Sequence, residues 1–515
     1  MKSFIRKTVS VVMICMMAFV MLGASAFAVP VNAASKTGLS KKSVTMTKGD
    51  TKTIRLKNVS KKVVWKNSSK KVVRIIEKKG KYKNKIKIKG LRKGKAVITA
   101  KVGKKKYKCK VTVKGVNDIE IRPLSASAVN KSKKYKRTLS GTSPANEKFR
   151  KAATDFSIDL FKEVSKADAA KGRRDSVLIS PDSVATALAM LVNGAGGATL
   201  DEMKAVLGGD MDPADYCSYL AGLNDRLESK KKIIFVQSNS IWARKGAITA
   251  KKSFLQKNKN YFDADFYVAP FNSETVRDIN NWVFNNTRNM IPEVINRLSE
   301  DDKLVLINTT VFEGKWAVPF DSTAKEEFTN ADGSKKSVTM LKERSRYNYF
   351  TMDGARCFER RYRGGSLAFV GILPPEGVSV DSFIQDMSGS GFRAAWKSRE
   401  SKEVVLTMPE FKYDYKTELD PVLKDMGMVT AFTDSADFSK MGTPPTKVDK
   451  VLHNTHIELD RYGTKAAAVT TVVMKDSSMP MEQELIEIRM NRPFVYAIVD
   501  VATGIPLFIG SIKKL

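Results

Sequence analysis

The sequence predicts two folded units of different class, a small all-β sandwich followed by a large α+β domain. Three observations carry this. Alternating apolar–polar runs recur at roughly ten-residue spacing between residues 38 and 114. Helical and strand periodicities intermix over residues 146–515. Between the two, residues 115–145 are polar and basic and hold no apolar period, as expected of an exposed linker. The chain has 515 residues, enough for two or three domains, and its 42% hydrophobic content suits units with real cores.

Residues 1–33 read as a secretory signal peptide. Lys2, Arg6 and Lys7 form a basic start, Val11, Val12, Met13, Ile14, Phe19, Val20 and Leu22 an apolar stretch, and small residues offer cleavage after Ala28 or Ala33. A retained membrane anchor is the alternative. No second apolar span follows and Leu515 ends the chain without a sorting tail, so the expected product is extracellular, with no membrane span once the signal is removed. Cys15 leaves with the signal. The remaining Cys109, Cys217 and Cys357 are odd in number and widely spaced, which is no disulfide framework. That usage fits a secreted bacterial protein that relies on its cores.

The strands expected in the first unit are Val44–Met46, Thr53–Leu56, Val63–Trp65, Val72–Ile75, Ile86–Ile88, Ala96–Ala100 and Cys109–Val113. Trp65 reads as a core residue. The net charge of +36 is concentrated here, with 30 Lys and Arg between Lys36 and Lys114 against two acids, Asp50 and Glu77. From Asn146 onward the chain is close to neutral. So basic a module suits adhesion to polyanions such as teichoic acids, acidic glycans or nucleic acid, against the plainer reading of a solvated outer face. Nucleic acid is not favoured, because no aromatic residues interleave with the basic runs and no nucleic-acid motif occurs. The runs Ser40–Met46 and Lys93–Lys101 resemble bacterial Ig-like domains of the second Big family over about residues 38–114, which implies a fold and says almost nothing about a ligand.

In the large unit, Phe149, Ala153, Phe156, Leu160 and Val164 recur at helical spacing, so an amphipathic helix comes first. Val177–Ile179 is a short buried strand, and Ser180-Pro181-Asp182-Ser183 starts a second helix. The glycine run from Asn193 to Thr199 reads as a helix-ending turn, since it lacks the Gly-Lys-Thr/Ser of a phosphate cradle. Further strands are expected at Ile233–Ile241, Leu304–Phe312, Leu367–Leu373 and Val404–Met408, with helices at Val276–Asn286 and Glu418–Met426.

Near the C-terminus, Gly463-Thr464-Lys465-Ala466-Ala467-Ala468-Val469-Thr470-Thr471 places small side chains after one glycine, followed by an irregular segment, Val472–Glu484. Small residues let a segment enter a packed sheet without clashes, so an exposed loop of this kind is a stored conformational switch. In strand alternation Thr464, Ala466, Ala468 and Thr470 share one face, and Lys465 falls on the other.

Several motifs in order now resemble the serpins, protease inhibitors that act by loop insertion. Leu178–Met190 resembles the family's second helix, and Leu306–Trp316 its third central strand and turn. Met408–Phe411, Gly427–Phe432, Asn491–Phe494 and Pro506–Gly510 also fit, over about residues 146–515. The resemblance implies a reactive-loop hinge at Gly463, Thr464, Ala466, Ala467, Ala468 and Thr470. It implies a polar shutter of Ser180, Ser183, Asn308 and His453 beneath the sheet, and Trp316 where the loop first enters. Counting from Gly463 at the family's usual spacing puts the scissile bond at Ser477-Ser478, with Met474 and Lys475 as nearby candidates because this loop is longer than common members'. It implies serine proteases as partners held as covalent acyl-enzymes, a monomeric inhibitor, and no cofactor. Family hinges more often carry acids near Arg461 and Lys465, so this chain departs there.

Enzyme readings lack residues. Neither Gly-x-Ser-x-Gly nor His-Glu-x-x-His occurs, and His453 and His456 are the only histidines, so metal sites of the usual types lack ligands and a hydrolase lacks a marked base. The readings that stand are a suicide inhibitor of elastase-like or subtilisin-like proteases, a non-inhibitory serpin, and a surface adhesin whose large domain is a scaffold.

Overall fold

A computed structural model of the chain describes residues 37–47, 51–79, 82–92, 94–114, 144–173, 175–209, 211–230, 232–464 and 485–515. The expected signal peptide, nearly all of the expected linker and residues 465–484 lie outside the described residues. The chain divides into two compact units, residues 1–120 and 121–515.

The first unit is built from β1 (Gly38–Leu39), β2 (Ser43–Thr47), β3 (Thr51–Lys57), β4 (Val64–Asn67), β5 (Val73–Lys79), β6 (Lys85–Gly90), β7 (Gly94–Val102) and β8 (Lys105–Lys114). All seven alternating runs form strands. They make two four-stranded sheets, in the orders β1-β3-β6-β5 and β2-β8-β7-β4. One core serves both sheets, with Ile54, Leu56, Ile86 and Ile88 from the first and Ile98, Cys109 and Val111 from the second. Alternation is what makes this possible: in β6, Ile86 and Ile88 point inward while Lys85, Lys87 and Lys89 point to water. Trp65 is buried, and its indole N–H donates to the Lys83 carbonyl at 2.7 Å, which satisfies the one polar atom it brings into the core.

The second unit opens with helix α1 (Pro144–Ala170). The helix starts inside the span expected to be linker, because proline at a first helical position costs no hydrogen bond and presets the helical φ. Then follow β9 (Val177–Ile179), α2 (Pro181–Val192), α3 (Gly197–Leu207), α4 (Pro213–Glu228), β10 (Ile233–Arg244), β11 (Thr249–Ala250), α5 (Lys252–Phe262), β12 (Asp265–Ala269), α6 (Ser273–Asn286) and β13 (Leu304–Lys315). Next come β14 (Ser322–Thr329), β15 (Lys335–Met352), β16 (Ala355–Arg361), β17 (Leu367–Leu373), α7 (Val380–Asp386), α8 (Gly389–Lys397), β18 (Glu400–Pro409), β19 (Phe411–Glu418) and α9 (Asp420–Asp425). The last elements are β20 (Gly442–Thr443), β21 (Lys450–Asp460), β22 (Gly463–Thr464), β23 (Ile486–Arg489), β24 (Phe494–Asp500) and β25 (Pro506–Ile512).

A nine-stranded sheet runs β23-β18-β15-β16-β17-β24-β25-β9, with β14 beside β15. A six-stranded sheet runs β12-β10-β13-β22-β21-β19. All twelve residues of α2 are buried, the polar Asp182, Ser183 and Thr186 among them, so this helix lies within the core. Cys109, Cys217 and Cys357 are buried free thiols.

Candidate functional site at the open centre of the six-stranded sheet

The centre of the six-stranded sheet is joined over only part of its length. β13 and β21 run parallel and pair from Val305↔Lys450 to Thr309↔Asn454. At their far ends β22 lies between them, antiparallel to both, with Thr464 opposite Gly314 and Leu459, and Gly463 opposite Lys315 and Asp460. In between, Thr310–Glu313 and Thr455–Glu458 have no ladder partner on their facing sides among the described residues. The first two residues of the expected hinge are thus already strand residues, and the gap ahead of them is one strand wide.

Sequence dictates this wedge. At Gly463, where φ is +153°, a Cβ would stand 2.2 Å from the Gly314 carbonyl oxygen, so only glycine can approach that strand. Thr464 is 2% exposed, and its hydroxyl shares a 2.7 Å hydrogen bond with the buried Tyr362 hydroxyl. Burial drives the Tyr362 phenol well above its ordinary range, so the neutral hydroxyl persists at any working pH. Tyr362 stacks on Trp316 at 4.6 Å and 12°. The Trp316 indole N–H donates to the Asp460 carbonyl at 3.0 Å and its backbone N–H to the Tyr462 carbonyl at 3.0 Å. Trp316 therefore holds the turn from which the loop departs.

That turn has its own clasp. One Asp460 carboxylate oxygen accepts from the amides of Tyr462 at 2.7 Å and Gly463 at 3.1 Å, while burial raises the pKa of the carboxyl. Arg461 donates to the carbonyls of Phe320 at 2.8 Å and Asp321 at 2.6 Å. An acid at 461, as family hinges more often carry nearby, would face those two carbonyl oxygens and be repelled. The Arg461 departure is matched by this chain's own surroundings.

The expected shutter residues lie together: Ser180 bonds His453, and the other hydrogen bonds of Ser180, Ser183 and Asn308 go to groups outside the set. The Ser180 hydroxyl donates to the Leu507 carbonyl at 2.8 Å instead of capping α2, and its amide donates to His453 Nε2 at 3.0 Å. Ser183 accepts from the Thr310 hydroxyl at 2.5 Å, and Asn308 donates to Asn239 at 2.5 Å. Asn308 and His453 are register partners across β13 and β21, yet Asn308 Oδ1 and His453 Nδ1 find no hydrogen-bond partner. Since Nε2 accepts, the imidazole proton sits on Nδ1. A buried donor and a buried acceptor thus stand unmatched at the join of the two central strands, a costly arrangement in a closed core. His456, by contrast, reaches Asp414 at 2.6 Å across the pairing of β21 with the edge strand β19.

Sequence reasoning missed Thr310, Asn239, Tyr362 and Asp182. Asp182 is buried on α2 and accepts from Gln237 at 3.1 Å, and desolvation, opposed by that bond, lifts its pKa to about 7. Burial lowers His453 to about 3. These shifts have opposite consequences. From about pH 4 to 7 native Asp182 binds a proton that the unfolded chain has lost, so its contribution falls as pH rises. From about pH 3 to 6.5 unfolded His453 binds a proton that the native state refuses, so its contribution rises with pH. Over the shared window the two offset each other. Asp182→Asn is expected to leave the histidine slope exposed, with stability increasing by up to about 1.4 kcal/mol per pH unit. His453→Gln is expected to show the reverse slope. Urea unfolding at several pH values between 4 and 7 reads both, and parallel slopes for the two variants would refute the assignment.

Gly463 and Thr464 are the described part of the expected hinge. Ala466, Ala467, Ala468 and Thr470, and the scissile candidates Met474, Lys475, Ser477 and Ser478, lie outside the described residues.

Known proteins share this architecture. Residues 151–515 match the family model described as Serpin (serine protease inhibitor). An uncharacterised serpin-like protein of Thermococcus kodakarensis is 30% identical over 375 residues, 70% of this chain and 85% of the relative. Intracellular coagulation inhibitor 2 of Tachypleus tridentatus is 28% identical, over 72% of this chain and 92% of the relative. The crystal structure of the thermophilic serpin tengpin in its native state superposes with a TM-score of 0.68 at 34% identity, over 75% of this chain and all of that one. By its family match, its relatives and its central sheet, this chain belongs to the serpin family.

Proposed function

We propose that the protein is a secreted suicide inhibitor of serine proteases of the elastase-like or subtilisin-like class. The observation that carries the reading is that Gly463 and Thr464 pair with β13 and β21 at once. In the proposed mechanism the protease serine attacks the Ser477 carbonyl, the new amine of Ser478 departs, and an acyl-enzyme remains on Ser477. The freed arm then continues the strand that β22 begins.

The register of β22 says where each residue of that strand would go. Extended by two residues at a time, it sets Ala466 opposite Phe312 and Ile457, and Ala468 opposite Thr310 and Thr455. Thr470 comes opposite Asn308 and His453. One threonine hydroxyl can donate to Asn308 Oδ1 and accept from His453 Nδ1–H, so insertion would match the two orphaned atoms with each other. Met474 would come opposite Leu304, the first residue of β13. An arm ending at Ser477 is therefore long enough to run the whole length of β13, and one ending at Lys475 only just.

Ser477 or Met474 suits the shallow pockets of such proteases. Asp476 beside Lys475 disfavours trypsin-like enzymes, and proline disfavours Met479-Pro480 by lacking the amide proton and restricting its neighbour. Incubation with a protease panel is expected to give denaturant-resistant complexes with subtilisin or elastase and a released peptide beginning at Ser478. A peptide beginning at Asp476 with fast trypsin inhibition would overturn the bond and the target class.

The first unit supports a further part of the proposal. Its two-sheet core and its motifs suit a bacterial Ig-like module, and its charge suits retention of the secreted, monomeric inhibitor on an anionic surface polymer. An inhibitor held where it is released would protect that surface.

A further inference from the structure

We infer that the outer face of the β4-β7-β8-β2 sheet is the docking surface for a linear polyol-phosphate polymer. This rests on the retention reading above and gives it a face and a chemistry. Inward-pointing Trp65, Ile98, Ala100, Cys109 and Val111 fix the phase of the strands. The alternate positions then carry Lys66, Lys95, Lys101, Lys106, Lys108 and Lys110, all exposed. Along β8, lysines 106, 108 and 110 repeat every second residue, about 7 Å apart. Lys101 faces Lys106 directly across the β7–β8 ladder, and Lys66 shares the row of Thr99 and Lys108.

Like charges directly opposite each other on a sheet are destabilising, and no acidic side chain among the described residues of this face offsets them. Of the two acids of the module, Glu77 is on β5 of the other sheet and Asp50 precedes β3 of that sheet. The other sheet is less uniform, because Glu77 stands opposite Lys87. The lysine face is a single-sign surface whose charge needs an external partner.

The remaining residues of the face select the partner's chemistry. They include Ser43, Thr45, Thr99, Thr112, Val64 and Val97, with no aromatic ring among them. Bases of single-stranded nucleic acid bind by stacking on aromatic platforms, and this face offers none. Nor does it hold an arginine, the residue suited to fixed bidentate recognition of carboxylate or phosphate. Lysine is a mobile point charge with three donors. It suits monoanionic phosphodiesters strung along a flexible acyclic backbone, whose neighbouring phosphates can adjust to the roughly 7 Å comb.

The test uses the full mature chain and immobilised poly(glycerol phosphate) at about 0.1 M salt, where screening acts beyond about 10 Å. Three proteins are compared: wild type, the triple variant K106Q/K108Q/K110Q, and the charge-matched triple K85Q/K87Q/K89Q on the other sheet. Tryptophan fluorescence, with a Trp65→Phe blank to subtract the other four tryptophans, verifies that the module stays folded, since all six positions point outward. The face assignment expects the first triple to bind about tenfold or more weakly and the second to lose about threefold or less. Equal loss in both triples overturns the face while leaving polyanion retention intact. Tighter binding of wild type to a sulfated glycan or a single-stranded oligonucleotide of equal charge overturns the polyol-phosphate chemistry. No binding of wild type to any of these polymers overturns the retention reading itself.

Discussion

Thr464→Arg is expected to turn the protein from an inhibitor of its target protease into a substrate. Thr464 is 2% exposed and its one polar atom is spent on the Tyr362 hydroxyl. Tyr362 is fully buried between Trp316 at 4.6 Å and Phe312 at 4.8 Å, out of reach of bulk solvent. Arg360, 5.2 Å over the Trp316 ring, is another cation and is already paired with buried Glu343, and the nearby Asp460 carboxylate is engaged by the amides of Tyr462 and Gly463. A guanidinium inserted here would be desolvated without a free counter-ion, at a cost of several kcal/mol. β22 would leave the sheet, and insertion after cleavage would have to begin with the one side chain that cannot enter. The acyl-enzyme would then hydrolyse before the protease is trapped. Thr464→Val removes the hydrogen bond and leaves the buried Tyr362 hydroxyl unmatched, at a cost of about 1–3 kcal/mol, but brings in no charge and is expected to keep most of the inhibition. Complex formation on denaturing gels at increasing inhibitor-to-protease ratios reads the difference. Wild-type stoichiometry in Thr464→Arg would show that Thr464 is not the hinge.

Cutting the loop anywhere within residues 472–484 is expected to raise the thermal midpoint by about 20 °C or more. The gap between Thr310–Glu313 and Thr455–Glu458 leaves ladder groups of both strands without partners among the described residues. A new antiparallel strand would bond to both sides, replace the short β13–β21 pairing and satisfy Asn308 Oδ1 and His453 Nδ1. Each new ladder bond contributes about 1 kcal/mol net, and the small residues at 466 and 468 add burial without overpacking. The intact chain cannot gain this, because the loop is tethered at both ends, by β22 and by β23. Calorimetry before and after limited proteolysis measures it. An unchanged midpoint would favour the non-inhibitory reading.

The elements of both units were legible in the sequence because their signals are local. Alternation marked seven of the eight strands of the first unit, all but the two-residue β1, and the spacing of Phe149, Phe156, Leu160 and Val164 marked α1, all four of them buried. Boundaries were less legible: Pro144 opens α1 although Ser143-Pro144 looks like linker, since a first-turn proline carries no apolar signal. In the site, Ser180, Ser183, Asn308, His453 and Trp316 were found through motif resemblance, whereas Tyr362 was not. It contacts Thr464 across 102 residues of sequence, and nothing in Tyr362-Arg363-Gly364 announces that contact. Asp182 was visible only as part of a helix start, because its pKa is set first by burial and then by Gln237, Asp500 and Glu228, groups far away in the chain. Arg461 read as a departure from the family until its two carbonyl partners gave it a role.

The claim that β22 is the first step of an insertion is tested most directly by a crystal structure of the protein cleaved in its loop. The expected result is a strand running from Thr464 to Met474 between β13 and β21, antiparallel to both, with the Thr470 hydroxyl between Asn308 and His453. Finding the Val305↔Lys450 to Thr309↔Asn454 pairing still in place, with the cleaved arm outside the sheet, would contradict it.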